Sequence, residues 1–190
     1  MSLNGNSKIV TYNKRYFSVN RIALLAVLTA FVTVGRLTFA LPFLPNIQPM
    51  TAMLIIITLA IGTIDGLVVA LLSLILTNTF LGMGPWLVMQ ILSFALIICL
   101  TALIKYFYNY GSLVNRLVFA SWTGLVGLIY GLAISFLSFR LYGMSNFLVY
   151  YLNGVSFDVL HAVGNVIFFF LLEPIIVPLI QRRLPHDSLG

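Results

Sequence analysis

Asp158, His161 and Asn165 stand three and four residues apart, so on a helix they share one stripe. A carboxylate, an imidazole and an amide arranged in this way can line a polar pocket. Asp158 and His161 could also ligate a metal or relay a proton. The metal reading lacks a third ligand. The enzyme reading has few other groups to draw on, because the chain holds one cysteine and two histidines. It carries no phosphate-loop motif, no HExxH pair and no GxSxG elbow. Pocket lining is the preferred reading. Arg36 is the second informative group. It lies about 22 Å along a helix from Arg21, near the far edge of a bilayer's hydrocarbon. A charge there is expensive and usually turns into the protein. It can receive an anionic ligand group, snorkel to the surface, or pair internally, with Asp158 as the partner that geometry offers.

Amides and aromatics gather toward the same side. Asn46 and Gln48 lie among Pro42, Pro45 and Pro49. Asn78, Trp86 and Gln90 flank a second break at Gly82 to Pro85, and Tyr130 and Asn153 approach the same face. Each alone reads as a helix cap or an interface anchor. Together they fit a small-molecule site, which needs apolar walls and a few oriented polar groups. Near the other end, Glu173 precedes Pro174 and reads as half of a structural ion pair. Pro174 is expected to kink or end its helix.

The elements that hold these residues follow from composition. The chain has 190 residues, 61% of them hydrophobic and 7% charged. Ten basic and four acidic residues cannot cover a soluble domain of this size. Each membrane span uses about 20 apolar residues. We therefore expect an all-α integral membrane protein, a bundle of six transmembrane helices, with no room for a soluble catalytic domain. Residues 1–19 form a cytoplasmic segment without a signal-peptide pattern. Residues 20–181 form a single membrane domain, and 182–190 a cytoplasmic tail. Cys99 lies in an apolar run and has no partner for an internal disulfide.

The expected helices cover about 21–41, 50–61, 66–81, 86–107, 116–139 and 155–180. The second and third are short, joined by a tight turn around Asp65. A single long helix carrying an intramembrane aspartate is the alternative. A longer loop is expected over 140–153. With the N-terminus inside, Lys8, Lys14, Arg15, Arg21, Lys105, Arg116, Arg182 and Arg183 face the cytoplasm. Arg140, with Arg36 near it, faces out. That is the positive-inside bias, with both termini cytoplasmic. The net charge of +6 is explained by topology and gives no reason to expect nucleic acid. Ala23, Ala26 and Ala30 form a small-residue face on the first helix, which lets another helix approach closely or packs within the same bundle.

The combination resembles a known family. Size, the six-helix plan, Ala26-Val-Leu-Thr-Ala30, Gly35-Arg36, Leu44-Pro45-Asn46-Ile47-Gln48-Pro49-Met50-Thr51 and Phe80-Leu81-Gly82-Met83-Gly84-Pro85-Trp86 are similar to the substrate-binding S components of energy-coupling factor vitamin transporters. The likeness is greatest to the pantothenate type and spans about residues 20–181. It implies a bacterial plasma-membrane protein that binds a vitamin from outside without catalysing a reaction or using a cofactor. The S component would work with a transmembrane coupling subunit and two cytoplasmic ATPases. The resemblance makes Ala23, Ala26 and Ala30 the docking face. It places the ligand among Arg36, Asn46, Gln48, Asn78, Trp86, Gln90, Tyr130, Asn153, Asp158, His161 and Asn165, with Arg36 receiving the carboxylate. An S component for a cobalamin-type ligand, riboflavin, pyridoxine or hydroxymethylpyrimidine is the alternative. So is a stand-alone oligomeric facilitator. The facilitator and an intramembrane enzyme using Asp158 and His161 both rank below an S component.

Overall fold

A computed structural model describes residues 19–39 and 46–183. Every regular element in it is helical: α1 (Val19–Phe39), α2 (Met50–Ala60), α3 (Thr63–Leu81), α4 (Trp86–Ile104), α5 (Leu113–Leu141) and α6 (Phe147–Arg183), with one 3-10 turn at Lys105–Phe107. Five of the six α-helices are long and apolar enough to cross a membrane, as expected of a multi-pass protein. The exception is α2. Its 11 residues rise only about 16 Å, against a hydrocarbon core of about 30 Å.

A helix that ends inside hydrocarbon needs protein around its unpaired backbone groups. The bundle supplies it: every residue from Met50 to Leu59 is buried. The sequence of α2 is suited to that position, since it is apolar all round and has no face for water. Pro49 starts it and Gly62 ends it. Gly62 has φ 154°, a conformation that a side chain rarely allows, so the chain reverses there and not around Asp65. The third helix is correspondingly longer than expected. It has 19 residues, and Asp65 lies buried in its first turn.

The expected loop over 140–153 is also corrected. Both flanking helices extend into it and leave only 142–146 as a turn. Asn146 caps α6, its side-chain oxygen accepting the Val149 amide at 3.1 Å. Ser112 caps α5 in the same manner through Asn115. Helix α6 then continues through Pro174 and Pro178 to Arg183, so Pro174 does not end it.

Side-chain contacts order the helices. Arg21 meets Asp65 and Arg36 meets Thr77, so α1 and α3 run parallel. The pairs Trp122–Thr101 and Ser138–Met89 set α5 antiparallel to α4. Along α5 and α6 the fit is tighter. A Cβ on Gly131 would meet the Asp158 carboxyl group, and one on Gly127 would lie 2.6 Å from the Asn165 amide. These glycines let α6 bring its polar stripe against the α5 backbone. The alanine face of α1 is not used inside the bundle. Ala23, Ala26 and Ala30 are all exposed, as are Val27, Phe31 and Val34 beside them.

Candidate functional site

Polar groups collect at two levels of the bundle. The first is the end where α1 finishes and α2 begins. Arg36 is 7% exposed there. Its Nη1 donates to the Thr77 hydroxyl at 3.0 Å and reaches the Met50 sulfur at 3.8 Å. Among the described residues it meets no carboxylate. The ion pair with Asp158 that geometry offered is not formed, and Arg36 does not snorkel to the surface. A guanidinium has five donors in a fixed fork. Here it is largely withdrawn from solvent with one hydroxyl oxygen to bond.

Beside it, Thr77 leads into Asn78, which joins α3 to α4. Asn78 Nδ2 donates to Gln90 Oε1 at 2.9 Å and to the Leu74 carbonyl at 2.8 Å, and Asn78 Oδ1 accepts the Trp86 indole N–H at 3.1 Å. The three residues therefore come together as anticipated, but they satisfy one another. Their geometry is that of a clasp across the Gly82–Pro85 break. A ligand that used them would have to displace these bonds or accept from the Gln90 amide nitrogen, since both Asn78 amide hydrogens are already donated.

The polar stripe of α6 faces α2 and α5. His161 Nδ1 lies 2.9 Å from the Asn46 carbonyl, and Nε2 lies 3.1 Å from the Thr51 hydroxyl. A carbonyl only accepts, so Nδ1 carries the proton and Nε2 takes the hydroxyl proton. Both nitrogens are thus used to pin the residue 46–51 segment to α6. That leaves neither for a metal or a proton relay in this conformation. Among the described residues no three His, Cys, Asp or Glu side chains gather as a metal site would require.

Asp158 and Asn165 are different. Asp158 Oδ2 is buried without a hydrogen-bond partner. Both the oxygen and the nitrogen of the Asn165 amide are also unpartnered, although Asn165 is 0% exposed. An unpaired buried polar atom costs about 1–3 kcal/mol. Two side chains on one helical stripe carrying three such atoms call for a partner. Tyr130 stands by them, its ring 5.6 Å from His161 and 4.7 Å from Phe94. It lies within electrostatic reach of both Arg36 and Asp158.

Two expected residues stand apart. Gln48 is half-buried in the pinned segment. Asn153 is exposed on α6, turned roughly 140° around the helix from Asp158. It falls on a helix because the expected loop does not exist, and its side chain points away from the stripe.

The second level lies at the opposite end. Asp65 takes two bonds from Arg21, at 2.9 and 2.5 Å, tying α1 to α3. Glu173 forms an ion pair with Arg116 at 2.8 Å, too bent for a hydrogen bond, and accepts the Tyr108 hydroxyl at 2.8 Å. Burial and the neighbouring carboxylate push the Tyr108 hydroxyl well above the ordinary tyrosine range. Sequence reasoning assigned Arg21 to topology and Asp65 to a turn, and missed their pairing. The signal was present: an apolar chain with four acidic residues places one of them at the end of a span.

The two ends therefore differ in kind. At the Arg21 end each carboxylate has its cation. At the Arg36 end a cation has no carboxylate among the described residues, and a carboxylate oxygen and an amide lack hydrogen-bond partners. Comparison with known proteins adds no identification: no protein family, no curated protein and no solved structure matches this chain.

Proposed function

We propose that the chain is the solute-binding subunit of a vitamin importer, an S component of the energy-coupling factor type, whose ligand carries a carboxylate as pantothenate does. The observation that carries the reading is Arg36: a buried guanidinium with a hydroxyl and a thioether for company and no acid. A bound carboxylate would accept two parallel N–H bonds from it. The unpartnered Asp158 oxygen and Asn165 amide supply complementary acceptors and donors for hydroxyl and amide groups of the same ligand.

In this reading the Arg36 end faces outward and both termini lie in the cytoplasm, where the basic residues concentrate. The exposed Ala23, Ala26 and Ala30 face meets the coupling subunit, and two ATPases on the cytoplasmic side supply the energy. The protein itself carries out no reaction and sits in a bacterial plasma membrane.

The test is calorimetry on purified full-length protein with pantothenate, and with pyridoxine as a neutral vitamin. Saturable pantothenate binding that Arg36→Gln abolishes supports the assignment. A protein that binds neither vitamin, yet alone passes solute across liposomes, is a facilitator and the proposal fails. Binding of pyridoxine but not pantothenate removes the carboxylate assignment and leaves the S-component reading with another vitamin.

A further inference from the structure

A groove of about 490 Å³ lies between α4 and α5, with a lining unlike that of the Arg36 cluster. Leu92 and Leu96 form one wall, Ile129, Leu132 and Phe136 the other, and Phe147 at the start of α6 narrows one end. Its size lies within the range of small-molecule sites, about 300–1,000 Å³. Leu92, Leu96, Leu132 and Phe136 are exposed, so the groove opens away from the bundle. Around helices of this length and hydropathy the surroundings are acyl chains. Phe147 is held by edge contacts with Phe136 and Phe139 at 6.0 and 5.5 Å, so this end is shaped by packed rings.

The rim says what kind of lipid fits. The Ser138–Met89 contact sets α4 and α5 in register, and it puts Trp86 and Arg140 at one level just beyond the narrowed end. Trp86 is 41% exposed and occupies the position of an interfacial anchor. Arg140 is exposed, follows Phe136 by about one helical turn on the same face, and makes no ion pair among the described residues. A cation at the headgroup level above an apolar groove complements a phospholipid with a net negative head. Ser93, the one polar lining residue, is fully buried with an unpartnered hydroxyl. It can turn that hydroxyl onto the carbonyl one turn back and so accept an apolar neighbour.

We infer that this groove holds one acyl chain of an anionic phospholipid whose phosphate pairs with Arg140. The lipid sits between α4 and α5 and braces the wall that carries Phe94 and Tyr130.

Native mass spectrometry of the full-length protein, released from micelles holding equal phosphatidylglycerol and phosphatidylcholine, tests this. One retained phosphatidylglycerol is expected, preferred over phosphatidylcholine about fivefold, the worth of one arginine at a membrane surface. Arg140→Gln should bring the two lipids to equal retention. Leu132→Trp and, from the opposite wall, Leu96→Trp should fill the groove and release both lipids. Each replaces an exposed residue, and an unchanged thermal midpoint verifies that the fold is kept. Equal retention of the two lipids by the unaltered protein overturns the phosphate contact. Retention unchanged in both tryptophan variants overturns the groove.

Discussion

Arg36→Met separates a ligand-binding cation from a structural strut. Methionine keeps the apolar stem of arginine and discards the charge. In the empty protein the charge has little to lose: one hydroxyl at 3.0 Å and a long sulfur contact at 3.8 Å. An uncompensated buried ion costs several kcal/mol. The cost is smaller here, because α1 ends within a turn of Arg36 and the headgroup region is close. Removing the charge should therefore stabilise the empty protein by about 1–2 kcal/mol. The same change removes two charge-assisted bonds to a bound carboxylate, each about 1.5–3 kcal/mol. Pantothenate should bind at least about 3 kcal/mol more weakly, more than a hundredfold in Kd. Arg36→Lys keeps the charge but not the fork and should fall between. Calorimetry measures the affinities, and thermal unfolding in detergent without ligand measures the stability. The opposite pattern, an empty protein destabilised by more than about 2 kcal/mol with both vitamins weakened equally, would show that Arg36 holds the helices together and receives no anion.

Asp65→Asn leaves the Arg21 guanidinium without its carboxylate and should cost about 3–5 kcal/mol of stability; a loss under about 1 kcal/mol in denaturant titration would mean that the pair is not part of the fold's support. Gly131→Ala drives a methyl group into the Asp158 carboxyl group and should lower the thermal midpoint by several degrees. Gly131→Ala combined with Asp158→Ala should recover much of that loss, and strictly additive losses would argue against the contact. The raised Tyr108 value predicts a stability that is fully present below the ordinary tyrosine value of 10.0 and is lost as pH rises beyond it, because only the unfolded chain releases that proton freely. Thermal midpoints taken from pH 8 to 11 should therefore fall more steeply for the unaltered protein than for Tyr108→Phe, and identical slopes would rule out a buried Tyr108 hydroxyl.

What the chain revealed in advance was set by local chemistry. Pro49, Gly62 and the Gly82–Pro85 break mark helix ends because each restricts or frees its own backbone, whatever lies nearby. The 140–153 segment misled for a related reason. Tyrosines and polar residues there look like a loop when counted, yet Asn146 is a helix cap, and a cap extends α6 upstream of the polar run. Pairing is another matter. Arg21 and Asp65 are 44 positions apart, and nothing local says that α1 and α3 run side by side.

One long-range pairing was nevertheless open to sequence reasoning. Asp158, His161 and Asn165 repeat at three and four residues on α6. Gly124, Gly127 and Gly131 also repeat at three and four residues on α5, so they too share one face of their helix. A polar stripe in hydrocarbon must turn toward protein. A glycine stripe is where protein backbone can be approached most closely. Antiparallel packing of the two stripes brings Gly131 to Asp158 and sets Gly127 between His161 and Asn165. The close approach also explains why Asn165 is sealed from solvent while its amide stays unpartnered. The glycines supply contact surface but no side-chain donor or acceptor, so under the proposed function the ligand would supply the hydrogen bonds Asn165 lacks. Asn165→Leu tests this last step. It removes two buried atoms that lack hydrogen-bond partners in the empty protein, so it should stabilise that state while weakening ligand binding by about one hydrogen bond, five- to tenfold in Kd. Unchanged affinity would show that Asn165 faces no ligand.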